Sequence, residues 1–203
     1  TSSLSPIFFP SISYYHAKKA MRYVRFLVAR SERYMSMIIT PIVAILIPLA
    51  GPIILLMAGY DFIAGVDTLM WLAIYGLIIS INVPHIQVTQ GCGRSDLTAK
   101  VGISIAISNI MLLLILTPKS IMGFKLLGLG SLGAAIASTI SALIGYFLSR
   151  KYSNMVCKAR TNPRIYKHWV AGFLTGAMTY MVDKNLWEIT RWYEVGIMSA
   201  IAL

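Results

Sequence analysis

The chain is 203 residues long, 57% apolar and only 12% charged, with a mean hydropathy of +0.72. An average soluble domain carries roughly twice that charge, so the composition excludes an ordinary cytosolic enzyme, a disordered tail and a disulfide scaffold, and reads as an integral membrane protein. The formal charge of +11 is the mark of basic loops held on one side of a bilayer rather than of a nucleic-acid partner.

In chain order, residues 1–13 read as the end of a preceding transmembrane helix. Residues 14–33 are too charged to cross and form a cytoplasmic amphipathic segment. Lys18, Arg22, Arg25 and Arg33 fall near one helical face, and Met21, Val24, Leu27 and Val28 populate the other. Such a helix lies among anionic headgroups as a simple interfacial linker, or acts as a lever between two bundles. Residues 34–149 follow as a four-helix transmembrane core. Its apolar stretches are Tyr34–Met57, Val66–Val88, Thr98–Thr117 and Ser131–Ser149, each near the roughly 20 residues that a crossing helix needs. A basic cytoplasmic loop covers 150–168. Residues 169–203 hold two C-terminal helices, a weaker His168–Val182 and a last one starting near Trp192 and truncated. The fold expected is an all-α polytopic bundle of about five complete transmembrane helices. Thr1 in place of an initiator Met and the apolar Ile201-Ala202-Leu203 predict a piece of a longer protein.

The loops set a direction. The stretches 14–33, Arg94 to Lys100 and 150–168 hold fourteen Lys and Arg, and the intervening connections hold only Lys119, Lys125, Lys184 and Arg191. The positive-inside rule assigns the first set to the cytoplasm of a multi-pass plasma-membrane protein.

Within the spans, Pro41 is read near a helix start, where a missing N–H costs little. Pro48, Pro52 and Pro84 lie deeper and are expected to break their helices, as in transporters with broken spans. The run Gly128, Gly130, Gly133, Ala134, Ala135, Ala137 and Ser138 is expected to let helix backbones approach closely. No Asp, Glu, Lys or Arg is assigned deep inside a span. The polar residues there are Asn82, His85, Gln87 and Asn109, with Gln90 at the inner edge. Asn82 and His85 are three apart and share a face. Asn82, His85 and Asn109 are therefore the candidate lining of a polar substrate cavity, against the plainer reading of interhelical hydrogen bonds worth around 0.6 kcal/mol each. Arg94 and Lys100 are candidate cytoplasmic rim residues that attract an anionic headgroup, or simple topology anchors. Cys92 and Cys157 have no metal-binding spacing and read as free thiols. No nucleotide, zinc-protease or Ser/His/Asp motif is present, so no cofactor, metal or catalytic residue is assigned.

An ordered series of features carries a resemblance. A P-S-I-S helix end (Pro10–Ser13) precedes a basic connection. A span with Pro41 ends Ala58-Gly59-Tyr60 before an acidic turn. The next finishes Q-G-C-G-R (Gln90–Arg94), its successor carries Ser108-Asn109 before Thr117-Pro118, and then comes G-L-G-S-L-G-A-A-I-A-S-T-I-S (Gly128–Ser141). Over about residues 5–150 this resembles the C-terminal lobe of polysaccharide-export flippases in the multidrug/oligosaccharidyl-lipid/polysaccharide exporter superfamily. The resemblance implies two six-helix lobes, with the spans here as helices nine to fourteen. It implies flipping of a lipid-linked oligosaccharide for cell-surface polysaccharide, with membrane lipids, the glycan substrate and the missing N-terminal lobe as partners. Rivals are a multidrug or small-molecule antiporter of the same superfamily, and a membrane enzyme acting on lipid-linked glycans with Asp61 and Asp67 as its outer carboxylates.

Overall fold

The computed structural model describes residues 5–121 and 124–158, together with 170–172 and 174. Residues 159–168 of the expected 150–168 loop, most of the fifth span and the whole of the sixth lie outside the described residues. Among those described, the chain is helical apart from one tiny hairpin. Three of its helices are long and apolar enough to cross a membrane, or four if one sharply bent pair counts as a single span.

Helix α1 (Ser5–Ala17) runs four residues past the expected end at Ser13. It closes at Lys19, which takes a left-handed conformation (φ 57°); the Lys19 N–H donates to the His16 carbonyl and the Ala20 N–H to that of Tyr15. Residues 14–33 are thus not one element. They divide between the end of α1 and the first half of α2 (Met21–Leu46), which continues unbroken through Tyr34. In this half Val24 and Val28 are buried against the bundle, and Arg22, Arg25 and Arg33 are exposed.

The prolines behave differently from one another. Pro41 lies inside α2 rather than near its start, and Pro84 sits within an unbroken α4 (Val66–Gly91). Only at Pro48 does the helix fail. There α2 gives way to α3 (Ala50–Ala58) across a 70° bend. Pro48 removes one N–H donor, and Pro52 falls in the first turn of α3, where its own lack of an N–H suits a helix start. The neighbouring prolines with Gly51 between them act together, whereas a lone proline in a well-packed helix is accommodated. Gly59, at φ 85°, ends α3, and a 3₁₀ turn (Tyr60–Gly65) leads into α4.

The Q-G-C-G-R sequence is the cap of α4. The Gly93 N–H donates to the Gln90 carbonyl and the Arg94 N–H to that of Thr89, with Gly93 at φ 74°; this paired closure needs a left-handed residue at that place. Helix α5 (Ser95–Leu116) follows. A two-strand hairpin, β1 (Ser120–Ile121) and β2 (Phe124–Lys125), pairs antiparallel with Ser120 opposite Lys125. Helix α6 (Gly130–Cys157) extends two turns beyond the expected end at Ser149, so Arg150 and Lys151 are helical.

α4 occupies the centre, against α1, α2 and α6, and α5 packs on the other side of the contact through α6. The buried residues of α6 are all small: Gly133, Ala135, Ala137, Thr139, Ser141, Ala142, Gly145, Ser149, Ser153 and Cys157. A Cβ on Gly133 would stand 2.6 Å from the Leu116 carbonyl oxygen, so the small-residue run does bring backbones together, as expected. At one end of the bundle Ile12, Val24, Val28, Val88, Cys92 and Cys157 form a common apolar cluster. The basic turn after α1, the turn after α4 and the end of α6 therefore gather at the same end, the arrangement that the loop charges require. Near the other end, the hydroxyls of Thr68 and Ser131 are 3.3 Å apart. Outward-facing α5 carries Ile103, Ile107, Ile110, Met111 and Leu114, all exposed, a surface suited to hydrocarbon.

Candidate functional site

The buried face of α2 begins apolar at Val24 and Val28 and then turns polar: Ser31, Glu32, Ser36 and Thr40 are all buried. The spacing of three and four residues keeps these on one side of the helix. The buried polar residues of α4 are Ser80, Asn82, His85, Gln87 and Thr89, of which His85 meets α2. α6 contributes Ser149 and Ser153. A polar seam therefore lies where Glu32 of α2 meets His85 of α4, and it reaches α6 through Tyr146.

At its centre, Oε1 of Glu32 lies 3.5 Å from Nε2 of His85, with the two side chains 2% and 3% exposed. The separation is that of an ion pair, without hydrogen-bond alignment: among the described residues neither of these atoms, nor His85 Nδ1, has a hydrogen-bond partner. The His85 ring meets the edge of Tyr146 at 6.0 Å between centroids. The Tyr146 hydroxyl in turn accepts a 3.1 Å hydrogen bond from Nη1 of Arg150. Glu32, His85, Tyr146 and Arg150 thus form a file of polar groups across α2, α4 and α6, from a buried carboxylate toward the basic end of the bundle.

Other hydroxyls in the seam are satisfied locally. Ser31 donates to the Leu27 carbonyl at 2.8 Å and Ser80 to that of Gly76 at 2.7 Å. Thr89 donates to the Ile86 carbonyl and lies 2.8 Å from the Thr98 hydroxyl, tying α4 to α5. Asn82 Oδ1, Ser149 Oγ and Ser153 Oγ are buried without a hydrogen-bond partner among the described residues. Buried polar groups are normally paired, so these atoms retain capacity for a hydroxyl, a water or a proton.

Of the residues singled out from sequence, Asn82 and His85 are buried one turn apart on α4. Asn109 is half-buried on α5, and among the described residues its shielded Oδ1 has no hydrogen-bond partner and no contact ties it to His85. Lys100 is exposed. Arg94 is exposed but engaged: its Nε and Nη2 donate to the two Asp96 oxygens at 3.0 and 3.2 Å. That hydrogen bonding, with the carboxylate charge, holds the guanidinium even more firmly protonated than usual. Asp61 and Asp67 are both exposed beside the 3₁₀ turn. Among the described residues no three of His, Cys, Asp and Glu converge as a metal centre requires.

The residue missed from sequence is Glu32, which lies in the segment 14–33, outside the stretches read as spans, yet is buried in α2. Two signals were available. Glu32 is the sole acid among six bases in 14–33, and it continues the Val24–Val28 stripe by one turn. Comparison with family models, with curated proteins and with solved structures yields no match.

Proposed function

We propose that the chain is the C-terminal part of a multi-pass plasma-membrane transporter that flips a lipid-linked oligosaccharide for cell-surface polysaccharide, working with a second lobe and not as an enzyme. The observation that carries this reading is the seam centred on Glu32 and His85. A bare polar group in hydrocarbon costs several kcal/mol, and ionisable groups among apolar helices mark pathways by default. A glycan crossing the bilayer needs hydroxyl-sized donors and acceptors along its route, and Asn82, Ser149 and Ser153 supply unspent ones. The ordered sequence resemblance to polysaccharide exporters supports the same cargo. Arg94 and Lys100, at the basic end, suit an anionic headgroup.

A second reading, export of a cationic small molecule by the same architecture, is favoured by one specific observation: the buried acid, Glu32, which a cation can neutralise. Reconstituting the parent protein in vesicles separates the two. Movement of a fluorescent lipid-linked oligosaccharide to the far leaflet, chemically unaltered, supports the flippase. Accumulation of a cationic dye without glycan movement selects the second reading, and a new glycosidic bond in the product refutes both.

A further inference from the structure

Cys92 and Cys157 are 65 positions apart in sequence and belong to different helices, yet their sulfurs lie 3.8 Å from each other. Cys92 is the residue that closes α4, and Cys157 is the last residue of α6. Both are reduced and buried, at 6% and 3% exposure. Ile12, Val24, Val28 and Val88 surround them, so each thiol has the other as its polar neighbour in an apolar pocket. They are also the only cysteines in the sequence.

We propose that Cys92 and Cys157 are a redox-active dithiol that peroxides convert to a disulfide, tying the α4 cap to the end of α6. A disulfide needs sulfurs about 2.05 Å apart. The remaining gap is within reach of side-chain rotation, because neither sulfur is held by a bond to anything else among the described residues. The hydrogen bond from Cys157 draws the Cys92 thiol below its ordinary value, against the opposing effect of burial. Cys92, at the turn after α4 and the less buried of the two at 6% against 3% exposure, is the thiol that a peroxide reaches first, and its thiolate is the nucleophile. Its sulfur attacks one peroxide oxygen, the O–O bond breaks, and the departing oxygen leaves as water, giving a sulfenic acid on Cys92. The Cys157 sulfur then attacks that sulfenic sulfur, the S–O bond breaks, and the hydroxide takes up the Cys157 proton as a second water. Two thiols have lost one electron each, and the peroxide has gained both. The consequence is local and mechanical. The turn bearing Arg94 is anchored to α6, and the α4–α6 contact is fastened at the basic end. The inference stands apart from the transport reading, since it concerns two thiols that the polar seam does not use.

The test treats the full chain in membranes with hydrogen peroxide, denatures it, and counts the thiols that accept a polyethylene-glycol maleimide. Untreated protein takes two labels. Treated protein is expected to take none, to have lost the mass of two hydrogens, to yield one Cys92–Cys157 cross-linked peptide, and to recover both labels after reduction. Cys92→Ser is expected to leave Cys157 labelled under the same dose, and Cys157→Ser is expected to leave Cys92 carrying added oxygen without a cross-link. Two labels persisting in treated native protein, oxygen added without loss of hydrogen, or a cross-link only between two chains would each overturn the proposal. Binding of one phenylarsine oxide per chain gives an independent readout on the unmodified protein; failure of this dithiol reagent to bind counts against it as well.

Discussion

Nε2 of His85 on α4 stands 3.5 Å from Oε1 of Glu32 on α2, joining two helices through the one buried carboxylate among the described residues. Removing either partner strands the other in an apolar surrounding. Glu32→Ala and His85→Ala are each expected to cost about 3 kcal/mol, about 6 to 12 °C in Tm for a chain of this size. The double replacement by leucine is expected to cost far less than the two single losses combined, because an apolar pair needs no compensation. Thermal denaturation in detergent reads all three. Additive losses would show that the two side chains are not coupled.

Glycine positions separate packing from propensity. Gly133→Ala drives a methyl against the Leu116 carbonyl, which backbone geometry holds in place. A loss of about 1–3 kcal/mol is expected. Gly102, in the middle of α5, has nothing within 4 Å of a built Cβ, and Gly102→Ala is expected to gain about 0.5–1 kcal/mol through lower backbone entropy in the unfolded chain. Opposite signs from the same chemical change are the readout, again in detergent melts.

The bend at Pro48 makes a distance prediction. Spin labels at the exposed positions Ile38 and Leu56, in a background with both native cysteines replaced, flank the 70° turn. Pro48→Ala restores the missing donor. With arms of about 15 and 12 Å at 1.5 Å per residue, the label separation is expected to lengthen by up to about 5 Å. Pro84→Ala, in a helix that is already continuous, is expected to leave it unchanged.

Asp96 takes the Nε–Nη2 edge of the Arg94 guanidinium with both carboxylate oxygens and competes with any anionic headgroup for it. Asp96→Asn is expected to raise retention of anionic lipid by the purified protein, measured by native mass spectrometry, and Arg94→Gln to lower it. The exposed pair itself contributes little to stability, so neither change is expected to move the melting temperature appreciably.

The long apolar helices were legible because hydrocarbon thickness acts on composition. Val66–Val88 falls within α4, Thr98–Thr117 overlaps α5 but for its last residue, and Ser131–Ser149 is the first two-thirds of α6. The placement of Asn82 and His85 on one buried face followed from their spacing. Glu32 was hidden because a charge count over 14–33 weighs every ionised group alike, whereas a helix separates them by direction: the arginines turn outward and the lone acid turns in. The proline outcomes were half legible. Pro48 has Pro52 and Gly51 to assist it, but nothing in the local residues around Pro84 reveals that neighbours on both sides would hold α4 straight. The approach of Cys92 to Cys157 was invisible, since only the packing of α4 on α6 creates it.

The fully buried positions of α6 carry nothing bulkier than threonine or cysteine, and only half-buried side chains such as Tyr146 and Val156 stand out beside them. Side chains that small have few rotamers to surrender, so the helix docks at little entropic cost, but they also offer almost no relief to lock against. Few polar contacts mark axial register along such a surface; one is the Thr139 hydroxyl, shared between the Ala135 carbonyl of its own helix at 2.8 Å and the Trp71 carbonyl of α4 at 3.1 Å.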